Sequence, residues 1–343
     1  MKVLASLFVA AATGLLACSS DAPTGPESAD AGAEAALSAA SNSWSPKAPY
    51  PGHGLFQGFA ATAPNSAGQP VVYRLGGTDG EGGTGFPVHA YNVATNAWTI
   101  MTSRAGVFGS NGASKIGSKI YFSGGYNAVE TPSSFTNAFW AFDYTRDRMI
   151  PKANLPIFGA EGVSGVIGGK LYVLPGACSG DRYPNPGYCA QEPTRRFYRY
   201  DPATDTWVNR KASPHFHRSG AAGVINDKLY VVGGFNGFTP VANLDVYDPS
   251  TNTWTSLAPI PAAGRAIGTV LGGKLFVITS GSSGLRSYVY TPGTNSWRGK
   301  AAPAQPHDGV VRVSLNGSVH LVAVGGSHGL DLEIPNDTEL YTP

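Results

Sequence analysis

Residues 217–261 read HRSGAAGVINDKLYVVGGFNGFTPVANLDVYDPSTNTWTSLAPIP, a stretch made of strand and turn signals. The small-residue run 219–224 meets Asn226-Asp227, a two-residue turn signal. An alternating run, 229–232, follows and ends in Gly233-Gly234. Composition and turn chemistry of this kind predict a β-hairpin. After a loop come residues 244–248, the turn-forming 249–252 and a last short strand carrying Trp254. The stretch therefore predicts four short antiparallel strands, with no 3.6-residue periodicity to argue for helix.

The same order of signals recurs along the chain. Glycine pairs fall at Gly76-Gly77, Gly124-Gly125 and Gly325-Gly326, with Pro175-Gly176 and Thr279-Ser280 in the same register. The spacings are 48, 51, 58, 46 and 46 residues. Behind each pair comes an aromatic residue on the third strand: Tyr91, Phe142, Tyr200, Tyr247, Tyr290 or Tyr341. Seven residues after the first five of these stands Trp98, Met149, Trp207, Trp254 or Trp297. A self-similar period of this length resembles the kelch repeat, whose units are the four-stranded blades of a propeller. The resemblance covers roughly residues 44–343 and implies an all-β fold, a six-bladed β-propeller of four-stranded antiparallel blades.

The sixth unit stops at Tyr341-Thr342-Pro343, before a fourth strand. The missing Trp strand stands at the other end, in SWSPKAP at 43–49. Trp44 is thus expected to complete the last blade beside Tyr341, so that the N-terminal strand closes the ring. Closure removes two unpaired sheet edges, each an aggregation liability. The regular placing of Trp44, Trp98, Trp207, Trp254 and Trp297 gives these residues a packing role, whereas Trp140 lies outside the repeat pattern.

Ahead of the repeats, Lys2 precedes an apolar run at 3–17 that is too short to span a bilayer and is shaped like a secretion signal. Residues 15–18, LLAC, resemble a bacterial lipobox with Cys18 as the lipid-modified first residue of the mature chain. Residues 19–42, rich in Ser, Ala, Gly, Asp and Pro, read as a flexible tether. The expected organisation is a signal peptide at 1–17, lipidated Cys18 and tether at 18–43, and the propeller at 44–343. Such a protein is lipid-anchored in a bacterial cell envelope and faces the periplasm or the cell exterior. In that compartment Cys178 and Cys189, both in the long insertion of the third unit, are expected to form a disulfide.

Charged residues are 13% of the chain and the net charge is +2, which argues against a nucleic-acid partner, since that calls for a clustered basic face. The only membrane contact expected is the lipid anchor.

Strand direction locates the binding surface. One face of the disc carries only tight turns, such as Gly168-Gly169, Asn226-Asp227 and Gly272-Gly273; the long loops lie on the other. Binding residues concentrate on loops held by a rigid scaffold. Just before the first strands stand Arg218, Arg265, His217, His307, Asp308, His53 and Glu161, which form the expected ligand-binding mouth. Arg218 and Arg265 best match the position where kelch proteins often carry a ligand-contacting arginine. The expected function is recognition of a protein or glycan ligand on this face.

The spacings offer no local metal-ligand motif, and no metal or other cofactor and no catalytic residue is assigned. Some kelch-like proteins are copper oxidases, but that activity needs a Cys-Tyr cofactor and His ligands with no matching set here. The alternative is a carbohydrate-modifying enzyme resembling sialic acid mutarotases, with Glu161 and nearby Arg and His as acid/base groups.

Overall fold

The computed structural model describes residues 42–51, 57–78, 87–127, 134–179, 194–326 and 337–343. Cys18, His53 and Cys189 lie outside the described residues, and with them the expected signal peptide, the tether up to residue 41 and the disulfide partner of Cys178.

Each blade starts as a hairpin, and in blades three to six the turn residues answer to backbone sign. Gly168-Gly169, Asn226-Asp227, Gly272-Gly273 and Asn316-Gly317 all have positive φ at both central positions. That geometry matches the right-handed twist of the flanking strands. Third and fourth strands follow in order, giving six four-stranded antiparallel sheets arranged as a propeller. The innermost strands of blades one to six are Phe59–Pro64, Ala113–Ile116, Val163–Ile167, Ala221–Ile225, Arg265–Leu271 and Gly309–Leu315. They adjoin one another around a central cavity of about 350 Å³.

Small residues on these strands let the blades approach. A Cβ at Gly165 would strike Val224 and Leu229 of the next blade, and one at Gly223 would strike Val270 and Leu275. The glycine pairs serve a related purpose. Gly124 has φ +62° and a Cβ there would collide with the Gly159 carbonyl, while the Gly125 amide donates to that same oxygen at 2.8 Å.

Blade six is completed from the N-terminus. Ser43–Pro46 pairs antiparallel with Thr338–Thr342, and Trp44 sits opposite Tyr341, as the repeat arithmetic requires. The Asn42 amide also donates to the Thr342 carbonyl at 2.8 Å.

An outer belt fixes neighbouring blades to each other. In blade four the Asn252 side-chain oxygen accepts from Tyr247 of its own blade (2.8 Å) and from the Lys211 amide of the previous one (3.1 Å), while Trp254 Nε1 donates to the Lys211 carbonyl (2.7 Å). The same clamp recurs with Asn96 and Trp98 on Ala48, and with Asp205 and Trp207 on Ala153. It recurs again with Asn295 and Trp297 on Ala258. At the closure, Asn42 and Trp44 hold Ala301 at 3.0 and 2.9 Å.

Blade two is the exception, since Phe142 has no hydroxyl and Met149 no N–H. Asp147 there takes the amides of Thr102 (2.6 Å) and Ser103 (3.1 Å) directly. Inside the belt, apolar side chains from facing sheets form a core at each of the six blade interfaces. Trp140 packs against the core between blades one and two, so it too has a structural place.

Candidate functional site

The innermost strands are preceded by short segments whose backbones bond from blade to blade around the cavity mouth. Gly109 donates to Gln57 (2.8 Å), Glu161 to Gly109 (2.6 Å), Ser219 to Glu161 (2.7 Å) and Ala266 to Ser219 (2.9 Å). The Gly58 amide donates to Asp308 Oδ2 at 3.1 Å, which links blade six back to blade one. Gln57, Glu161 and Ser219 all have φ between +54° and +57°. A left-handed backbone costs an ordinary residue about 1 kcal/mol, and here the ring of amides holds it.

Two of the expected ligand residues pair across this ring. Arg218 Nε donates to the Glu161 carboxylate, which also accepts from Tyr126 Oη at 3.1 Å and Ser219 Oγ at 3.2 Å. Arg265 Nη2 lies 3.2 Å from Asp308 Oδ1. The arginine side chains remain 19% and 28% exposed. Glu161, Arg265 and Asp308 line the cavity itself.

Asp308 is held from below as well. Arg74 Nη2 lies 3.4 Å from Asp308 Oδ2, and both side chains are fully buried. Burial pushes the Asp308 carboxyl up, while Arg265, Arg74 and the amides of Gly58 and Gln57 pull it down. Arg74 stacks over the Tyr50 ring at 5.0 Å, and Tyr50 Oη contacts His89 Nδ1 at 2.8 Å. Desolvation and then the Arg74 charge lower the His89 pKa to about 4, and burial raises that of Tyr50 to about 12.

His217 and His307 occupy a different place from the one expected. Both are buried. His217 Nδ1 meets the Gly233 carbonyl at 2.9 Å and Nε2 meets Asp245 at 3.0 Å. His307 repeats this with Gly325 at 2.9 Å and Glu339 at 2.8 Å. With acceptors on both ring nitrogens, these histidines clasp the pre-strand segment to the third strand and have no nitrogen left for a ligand. Burial opposes charge on Asp245 and Glu339, yet hydrogen bonds from these histidines, and on Asp245 from Ser256 and His215, hold both carboxyls below their usual range.

A sequence signal for Arg74 existed. Two residues before the glycine-pair register, the other five blades carry Phe122, Val173, Val231, Val277 and Ala323, and only blade one carries a charge. The clasping acids had one too. Asp245 and Glu339 stand two residues before the repeat tyrosine, where blades two, three and five place Trp140, Tyr198 and Tyr288.

Comparison with known proteins agrees with this architecture. The Kelch motif family matches residues 218–261, the stretch with which the repeat reading begins. The chain carries a Kelch motif in a six-bladed β-propeller. It is 26% identical over 247 residues to the Kelch-like protein terF of Aspergillus terreus, a match covering 68% of this chain and 53% of that one. The match thus spans about half the length of that relative. The solved structure of YjhT superimposes with a TM-score of 0.65 at 16% identity, covering 86% of this chain and 96% of the other. At that identity the likeness speaks for the fold.

Proposed function

We propose that this propeller is an extracytoplasmic binding module that captures a protein or glycan ligand over the loop-bearing mouth of its central cavity. The observation that carries this reading is the pair of partly exposed arginine side chains, Arg218 and Arg265, each held by a carboxylate at the rim. An arginine fixed in this way holds its positive charge in a set direction, which lowers the ordering cost of binding an acceptor-rich partner. Glu161 and Asp308 serve as the holders and are not free to meet the ligand alone. A leader at 1–17 and lipid on Cys18 would tether the propeller to the envelope, and a Cys178–Cys189 bridge would constrain the insertion of the third unit.

The test is capture of glycans and exported proteins by the purified protein and by the Arg218→Ala/Arg265→Ala variant. Each charge-assisted hydrogen bond lost is worth roughly 1.5–3 kcal/mol, so affinity should fall at least tenfold per arginine. Undiminished capture by the double variant refutes the assignment. The enzymatic reading draws on Glu161 at the cavity wall beside Arg218. It requires sugar turnover by the purified protein, lost in Glu161→Gln.

A further inference from the structure

The cavity carries charge that the loop-face reading does not use. Strand pairing sets the six innermost strands in a common register. Ala60, Ala113, Ser164, Ala222, Gly268 and Val310 all pair with the residue two before the glycine-pair position of their own blade. Two residues further toward the tight turns, the equivalent positions are Thr62, Lys115, Val166, Val224, Val270 and Arg312. Residues two apart on a strand leave the same face, so these six share one orientation.

Blades three, four and five use the position for interblade packing, with Val166, Val224 and Val270 each set against an apolar core. Blades two and six instead place Lys115 and Arg312 there. Both are exposed, and both line the central cavity together with Thr62 of blade one, which lies between them in the ring.

Among the described residues neither cation meets a carboxylate. The two acids that line the cavity, Glu161 and Asp308, lie at the other mouth and are already engaged by Arg218, Arg265 and Arg74. The interior is therefore positive, and a concave low-dielectric wall focuses such a field. Two like charges flanking one blade both attract an anion. The available donors are a guanidinium fork, an ammonium and a hydroxyl, a set suited to the several oxygens of a single oxyanion.

We propose that Lys115, Arg312 and Thr62 form an oxyanion site inside the channel, on its turn-bearing side. The site takes free phosphate or sulfate, or a phosphate, sulfate or carboxylate group on a larger ligand. It stands independently of ligand capture at the loop face.

The experiment titrates the full-length protein with sodium sulfate, phosphate or acetate at constant ionic strength, using chloride as the reference salt and following both binding heat and melting temperature. At least one oxyanion should give a saturable response that chloride does not, and the responding salt identifies the preferred group. Lys115→Met/Arg312→Gln should weaken that response at least tenfold, whereas Lys115→Arg/Arg312→Lys should retain it. Arg218→Ala/Arg265→Ala should also retain it, which separates this site from the loop-face reading. The proposal is overturned if no oxyanion exceeds chloride, if Lys115→Met/Arg312→Gln responds as the wild type does, or if the response vanishes with Arg218 and Arg265 instead.

Discussion

Ring closure rests on a strand of four residues, and replacing Trp44 by alanine tests it. The Trp44 ring is half-buried, 5.1 Å from Tyr341 and 6.3 Å from Phe276, and its N–H donates to Ala301 at 2.9 Å. Half of a ~150–250 Å² aromatic at ~25 cal/mol/Å² is about 2–3 kcal/mol, and the hydrogen bond adds about 1 kcal/mol. The expected loss of about 3–4 kcal/mol corresponds to roughly 5 °C in melting temperature for a body of this size, at ~2.1 cal/mol/K per residue.

Trp254→Ala removes a like set of contacts, to Phe197, Tyr247 and the Lys211 carbonyl, and should lower melting by a similar amount. The two variants should differ in where they loosen. Thr253–Leu257 follows its partner Leu244–Asp248 through a four-residue turn, so it re-pairs at high effective concentration. Ser43–Pro46 meets Thr338–Thr342 from the far end of the chain and has no such tether. Hydrogen exchange in Trp44→Ala should therefore rise on the order of 100-fold at 43–46 and 338–342, ahead of every other blade. Uniform acceleration across all six blades, or an equal local rise in Trp254→Ala, would refute the closure argument.

The buried His89 predicts a slope of stability against pH. Its folded pKa, about 4, lies below the ordinary value near 6.5, so the unfolded chain binds the proton more readily. Its contribution, at most about 3 kcal/mol, is complete above pH ~6.5 and is lost as pH falls toward 4. Urea melts across that window should show the loss, and His89→Gln should flatten the curve; an unchanged slope would count against a neutral buried ring. A second prediction concerns the Arg74–Asp308 pair. Arg74→Met leaves a buried carboxylate with one guanidinium fewer and should cost about 3 kcal/mol in denaturant melts, much of it recovered in Arg74→Met/Asp308→Leu. A cost below about 1 kcal/mol for the single change would show that Asp308 does not depend on Arg74.

The fold was legible because its signals repeat. A glycine pair, an aromatic on the third strand and a tryptophan seven residues later each answer a local backbone or packing need, and six copies average out the irregularities of any one. Even the truncated sixth unit carried information, because a propeller cannot leave a blade three-stranded without exposing an edge. The belt of Asn42, Asn96, Asp147, Asp205, Asn252 and Asn295 was less visible. In five blades it depends on one side-chain oxygen serving two blades, and in all six on a left-handed backbone, neither of which strand periodicity records.

The mouth was legible only as a location. Position before an innermost strand brought Arg218, Arg265, Glu161 and Asp308 to one rim, but the same criterion also gathered His217 and His307, which turn inward to hold a carbonyl and an acid. What separates the two groups is the partner, and the partner lies on a third strand or in another blade. Blades four and six both place an acid two residues before the repeat tyrosine, and both place a histidine ahead of the first strand. That coincidence, compared across blades, marks a structural clasp. Charges without such a recurring partner remain: Arg74 alone in its register, and Lys115 and Arg312 where three other blades use valine. Arg74 finds its acid across the blade junction in Asp308, whereas Lys115 and Arg312 meet no acid among the described residues. In a repeat protein the shared residues build the scaffold, so the unshared charges are where function should be sought.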